Sequence, residues 1–254
     1  MSGLVFISLR SGSFGNSYVI SDGETTILID AGAPKKLVAA NTVEMGLPPP
    51  RALFITHEHH DHTKSLAPII RHFAPKIFAT PGTIFALGRK LETVDSAVVP
   101  IDAGTQVAVG KFAVSSILIS HDAAQPVAFR IDHTGGKSAA ILSDMGDFGA
   151  GITDFACGAG LVLVEANYDP QLLRNSWYPE YLKRRIASRR GHLSNYQCAR
   201  LAGRLIDSGT KLVVLGHISE NNNTPDLALN TVRAHTDFPS IATADRYNPR
   251  IFFL

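Results

Sequence analysis

Three things are scarce in this chain: cysteine, long apolar runs, and an excess of charge of either sign. Only Cys157 and Cys198 occur among 254 residues, far apart and outside any CxxC or zinc-ribbon spacing. That excludes a disulfide framework and fits a reducing compartment. No stretch approaches the roughly eighteen apolar residues of a membrane span. The start, MSGLVFISLRSG, has no basic segment followed by a long apolar one, so no signal peptide is expected. A net charge of +2 provides no overall field for nucleic acid, so any basic footprint must be local. Linkers, low-complexity segments and short-period repeats are also missing. The expectation is a cytoplasmic protein with no membrane segment, folded as one domain over 1–254. Its 45% apolar and 18% charged residues suffice for a sizeable core.

What is present is a mixture of strands and helices. The first thirty residues read as strands LVFISLR, YVIS and TTILID, the first two separated by the Gly/Ser turn SGSFGNS. A helix is expected around PKKLVAANTVEMG, closed by Gly46 and by Pro48, Pro49 and Pro50. RALFI is a short buried strand, HTKSLAPIIRHFA one helix, KIFAT a strand and PGTIFALGRKL one helix. Three or four strands follow between about residues 97 and 142, with HTGGK as a hairpin turn. The last third gives strand GLVLVEAN, helices near 179–190 and 194–208, strand KLVVLGH, a helix over 225–236 and two short strands. Each half is a run of strands followed by helices alternating with strands. This predicts an α+β chain of two sheets face to face, with helices outside.

The densest signal is LFITHEHHDHTKS, residues 53–65. Written as a pattern, residues 57–62 are H-x-H-x-D-H. Residues two apart in an extended segment project to the same side, so His57 and His59 can converge on one ion as the strand ends. Asp61 and His62 follow as the chain turns, placed for a second ion; two ions about 3.5–4 Å apart make a hydrolytic centre. His60 has the opposite parity and is read as no ligand. His72, His133 and His235 are read as ordinary surface or turn residues.

This pattern resembles the metallo-β-lactamase superfamily, over nearly the whole chain, and so implies its αββα four-layer sandwich. The resemblance implies further ligands at strand ends: His121 in ILISHDA, Asp144 in AILSDMG as the bridge between two metals, and His217 in VVLGHIS. His57, His59 and His121 would then hold one ion, and Asp61, His62 and His217 the other. Asp30, ending ILIDAG, would support the site by accepting an imidazole N–H. Glu165 in VLVEANYD and His192 in RRGHLSN resemble the phosphodiesterase branch typified by RNase Z. There a carboxylate-oriented histidine protonates the leaving alkoxide. Asp61, His192 and Glu165 are thus the expected catalytic group. The cofactor expected is two divalent ions per chain: the His-rich set suits zinc, and the carboxylates leave manganese or iron open.

Within the superfamily, SGSFGNS, THEHHDH, SHDA, SDMG, VEANYD, GHLSN and GHISENNNTP are most similar to the YycJ/WalJ-type subgroup. That likeness implies a DNA exonuclease acting from the 5′ end. Two positions depart from it: Tyr168 stands where many relatives have histidine, and Phe14 where the usual motif has serine. A small-molecule phosphodiesterase or thioesterase of the same fold, and a non-catalytic metal-binding regulator, are the rival readings. Ser194 or Asn195 is the expected cap of the next helix. Candidate substrate contacts are Ser13 and Asn16 of the turn, Ser194, Asn221, and Arg184, Arg185 and Arg189. The last three lie in KRRIASRR with Lys183 and Arg190, a run that elsewhere would be a solvated helix face. Trp177 and Tyr178 nearby could stack on bases. Residues 144–217 leave no room for a β-CASP insertion, and no segment suggests an RNase Z exosite arm.

Overall fold

The computed structural model describes residues 3–92 and 97–254. Strands β1 (Val5–Arg10), β2 (Ser17–Ser21), β3 (Thr26–Ile29), β4 (Ala52–Phe54), β5 (Lys76–Ala79) and β6 (Val98–Pro100) lie side by side in chain order. A second sheet holds β7 (Gln106–Val109), β8 (Phe112–Leu118), β9 (Val127–His133), β10 (Ser138–Leu142), β11 (Leu161–Glu165), β12 (Leu212–Gly216) and β13 (Ile241–Thr243). The last strand, β14 (Arg250–Phe253), returns to the first sheet beside β1, making each sheet seven-stranded.

The two sheets repeat one plan. Each begins as an antiparallel meander, β1 to β3 and β7 to β10, and ends in parallel pairings, β3 to β6 and β10 to β13. Meander strands need only turns between them, whereas parallel neighbours need crossovers. The first sheet's crossovers carry α1 (Lys35–Glu44), α2 (His60–Thr63), α3 (Leu66–Phe73), α4 (Pro81–Leu87) and α5 (Arg89–Glu92). The second sheet's carry α6 (Ala150–Ala156), α7 (Pro170–Asn175), α8 (Glu180–Ile186), α9 (Asn195–Asp207) and α10 (Pro225–Thr236).

Strand alternation builds three apolar layers. Ile27 and Ile29 of β3 enter the core between the sheets, while Leu28 faces the α1/α3 side. Leu161 and Leu163 of β11 enter the same central core, and Val162 and Val164 face α9. Burial on both faces explains why these strands read as unbroken apolar runs. Phe54 ties the central layer together, stacked on Phe78 at 4.6 Å and edge-on to Phe129 of the other sheet at 5.5 Å. The result is the expected four-layer αββα sandwich. Among the described residues no helix is long and apolar enough to cross a membrane.

Local differences from the sequence reading have identifiable causes. The helix expected through 62–74 is two, α2 and α3. Pro68 has no N–H and would clash with a carbonyl one turn back, so a helix can only restart just before it. Gly88, at φ 43°, likewise separates α4 from α5. Helices α6 and α7 were not foreseen; seven and six residues are too short to show periodicity. At α9 the cap is Ser194, in a reciprocal capping box with Gln197.

Candidate metal centre

The C-terminal ends of β3, β4, β10, β11 and β12, and the loop after β8, deliver polar side chains to one place. Three residues there, Asp30, Asp144 and His217, take left-handed backbone at φ 59°, 58° and 48°. Such conformations are uncommon outside glycine and concentrate where function demands them. The loops close tightly. A Cβ on Gly32 would meet the Asp61 carbonyl at 1.8 Å, and one on Gly191 the Ile186 carbonyl at 2.2 Å, so neither position accepts a side chain.

Three groups of donor atoms result, two of which match the expected ligand sets. His57, His59 and His121 lie within 4.8 Å of one another and could hold one metal ion; Asp61, His62, Asp144 and His217 could hold a second. Asp144 sits between them. Its Oδ2 is 3.2 Å from His62 Nε2, and its Oδ1 is 3.3 Å from His217 Nε2 and 3.9 Å from His121 Nε2. His60 is exposed and outside both groups, as its parity required.

Asp30 fixes the imidazoles from behind. His62 Nδ1 donates to Asp30 Oδ2 at 2.8 Å. The Thr56 hydroxyl also donates to Oδ2, at 2.8 Å, so at 3.0 Å it can accept only from His57 Nδ1–H. Asp30 Oδ1 takes the Thr56 N–H. One buried carboxylate thereby sets the tautomer of two rings and leaves both Nε2 atoms facing forward. His121 Nδ1 donates to the Gly191 carbonyl at 3.1 Å, with the same consequence. His57 Nε2 is buried and hydrogen-bonds nothing among the described residues. A buried orphan lone pair at the centre of three imidazoles is what a metal ligand requires.

The electrostatics differ between the groups. Burial holds His57 well below the usual histidine range and lowers His121. In the second group burial opposes charge, but Asp144, Asp61 and Asp30 overcome it and raise His62 well above that range. His217 rises to about 9, burial again being outweighed by Asp144 and Asp61. Burial would raise Asp144 and Asp61; the facing imidazoles, His217 and His62 for Asp144 and His62 for Asp61, hold both well below the carboxylate range. Protons there supply the positive charge that a dication would replace.

Glu165 and His192 lie at the edge and, with Asp144 and His217, make up the third group. Glu165 is fully buried; its Oε1 accepts the Met145 and Leu193 N–H groups at 2.8 and 2.9 Å. Its Oε2 is left 3.1 Å from His192 Nδ1, which donates to it. His192 keeps 21% side-chain exposure and stacks on His217, ring centroids 5.1 Å apart. Glu165 thus engages Nδ1 and leaves Nε2 to other partners.

Several expected substrate contacts sit elsewhere. Asn16 is fully buried, bonded to Gly12 and 3.0 Å from Asp61 Oδ2, so it positions the cluster and cannot receive a phosphate from solvent. Ser194 is likewise committed to its capping box. Ser13 is exposed at the loop tip, and Asn221 is exposed with its amide on the Tyr178 hydroxyl. Of the basic run, Arg185 pairs with Asp122 and Arg189 with Asp147, Arg190 reaches the His121 carbonyl, Lys183 is tied to Arg174 and Glu180, and Arg184 meets, among the described residues, only the Glu180 carbonyl. Tyr168 is 6% exposed, its backbone bridged to Ser194.

The sequence reading missed Thr56, Asn167, which bonds the His217 carbonyl and lies 2.9 Å from its Nδ1, and Ser11, which accepts the His217 N–H. It also missed Glu58, whose carboxylate takes the Ala124 N–H and so anchors the His121 loop. All four lie inside motifs quoted above, Thr56 and Glu58 in THEHHDH, Asn167 in VEANYD and Ser11 in SGSFGNS; that membership was the signal.

The family described as "Beta-lactamase superfamily domain" matches residues 25–218. Exodeoxyribonuclease WalJ of Streptococcus pneumoniae is 35% identical over 234 residues, 89% of this chain and 86% of that protein. Exodeoxyribonuclease YycJ of Bacillus anthracis is 31% identical over the same length, with the same coverage. Among solved structures, the metallo-beta-lactamase fold protein YhfI from Bacillus subtilis superposes with a TM-score of 0.75 at 16% identity. That match covers 99% of this chain and 100% of that one, and is a likeness of fold.

Proposed function

The chain belongs to the beta-lactamase superfamily, and on that premise we propose that it is a metal-dependent exonuclease hydrolysing DNA from the 5′ end. The curated relatives named exodeoxyribonucleases support a nuclease, and the paired donor groups support its metal dependence. His57, His59 and His121 would hold one ion, Asp61, His62 and His217 a second, with Asp144 between. When bound, divalent cations supply Lewis acidity at the phosphate and make water nucleophilic at neutral pH. Zinc suits the imidazoles; the carboxylates admit manganese or iron.

The observation that carries the phosphodiester reading is the Glu165–His192 pair. An alkoxide leaving group must gain a proton as the P–O bond breaks. His192 Nε2 holds that proton, and Glu165, immobilised by two N–H donors, fixes the ring through Nδ1. Asp61 completes the catalytic group by holding charge opposite His62 and His217. Asp30, acting directly on His62 and through Thr56 on His57, is a positioning residue. Arg184 and Arg190, which meet backbone carbonyls rather than carboxylates, are the members of the basic run available to a DNA phosphate, with Ser13 and Asn221 as further contacts. The free thiols Cys157 and Cys198 fit action in the cytoplasm.

The test is metal-loaded protein on linear and closed-circular DNA, with linear strands labelled at either end. Release of label from the 5′ end, with circles intact, is expected. Equal cutting of circles would overturn the exonuclease assignment, and release from the 3′ end its polarity.

A further inference from the structure

We propose that Phe14 and Tyr247 form a stacking subsite for an unpaired base of the substrate strand, flanked by the cations Arg10, Lys64 and Arg246. The proposal rests on the nucleic-acid reading above. Both rings are 48% exposed, their centroids 6.0 Å apart and their planes tilted by 44°. Large aromatic rings left half in water are costly unless something covers them.

Both rings are carried by segments tied to the metal centre. The loop bearing Phe14 is pinned at one end by Ser11, whose hydroxyl accepts the His217 N–H at 2.9 Å. At the other end it is pinned by Asn16, 3.0 Å from Asp61 Oδ2. Phe14 is two residues from Asn16, so their Cα atoms lie within about 7 Å. Tyr247 stands on a turn whose Asp245 carbonyl accepts the Ser11 N–H at 3.1 Å and whose Asp245 side chain accepts the Tyr247 N–H at 2.7 Å. The Tyr247 hydroxyl is fixed on Glu220. A base on this pair would therefore lie one short step from the phosphate held at the ions.

The charges around the rings suit a strand. Arg246 lies over the Tyr247 ring at 5.8 Å, donates to the Ile218 carbonyl next to His217, and pairs with Glu220 at 3.5 Å, an ion pair that a phosphate would compete for. Lys64 donates to the Phe14 carbonyl. Arg10 Nε is buried and hydrogen-bonds nothing among the described residues. An anion there would satisfy that donor. Aromatic platforms beside cationic tracks are how single strands are held without sequence preference.

The test is steady-state hydrolysis by protein loaded in turn with zinc and with manganese. The substrates are a short single strand and the same strand with an abasic residue placed at each position in turn. For the wild type, KM should rise about 5- to 150-fold at one abasic position, the range of one base–aromatic stack. Phe14→Ser and Tyr247→Ala should raise KM for the intact strand by a comparable factor and remove the abasic penalty, whereas Phe14→Trp should keep it. Indifference of the wild type to every abasic position, or an unchanged penalty in Phe14→Ser, would overturn the subsite and leave the nuclease reading standing. Failure of the metal-loaded wild type to cut any strand would overturn both.

Discussion

The two expected donor groups of the candidate metal centre are built from different chemistry. His57, His59 and His121 form an all-imidazole group, with His57 and His121 kept neutral by burial. Asp61, His62, Asp144 and His217 form a mixed group, in which carboxylates hold the two imidazoles protonated until something displaces the protons. The first group is ready for a cation as it stands. The second must exchange protons for one, so its affinity is tied to pH. Only Asp144 belongs to both environments, and Asp30 reaches behind both.

The largest expected effect breaks this contrast at Asp144. Asp144→Asn should bring turnover to background and lower metal content, because the amide cannot balance charge on either side. Full activity in the purified variant would remove Asp144 from the centre. His192→Ala comes next and should spare both groups. Metal content should hold while kcat falls by roughly 10²–10⁴, the range for a general acid. A nitrophenyl leaving group should recover much of that loss, since it needs no proton; loss of a metal would make His192 a ligand.

Asp30→Asn should weaken metal affinity about 10- to 100-fold, the usual cost of removing a partner behind a ligand. Competitive chelator titration would measure it, and unchanged affinity would show that Thr56 alone orients the rings. Effects of pH should separate the groups. Because the folded pKa of His217 is raised, its contribution to stability of the metal-free protein is fully present below about 6.5. It is lost as pH rises through about 9. Melting temperature of metal-free protein should fall across that window while uptake of the second metal tightens. Uptake by the imidazole group should change little. A parallel rise for both ions would erase the distinction.

The smallest effect lies outside both groups. Of the basic run, Arg184 and Arg190 meet backbone carbonyls and no carboxylate among the described residues, so Arg184→Ala should flatten the salt dependence of single-strand binding by about 0.7 in log–log slope. Adding Arg185→Ala and Arg189→Ala should flatten it less per residue, because Asp122 and Asp147 already engage them.

Legibility in the sequence followed distance along the chain. The 57–62 cluster was readable because its ligands are neighbours whose spacing is itself the geometry. His121, Asp144, Glu165, His192 and His217 were readable through resemblance, each marked by a short motif. The supporting contacts were not, since Thr56 to Asp30, Asn167 to His217 and Ser11 to His217 span 26, 50 and 206 residues. Asn16 shows the cost of reading a loop alone. As sequence it was a polar tip open to phosphate; folded, it is walled in by Gly12 and Asp61. Pro68 and Gly88, by contrast, were visible breaks in the helical pattern and sufficient to divide it.

The left-handed backbone at Asp30, Asp144 and His217 has a practical consequence for anyone mutating this centre. Asparagine and glycine enter that conformation readily, while alanine pays about 1–2 kcal/mol there. An alanine scan would therefore mix lost chemistry with a bent chain at these three positions and overstate their catalytic weight. Asp30→Asn and Asp144→Asn change charge while leaving the fold's geometry at ease, and are the cleaner instruments. At His217 the same reasoning recommends asparagine over alanine, with glycine as the control for the backbone alone.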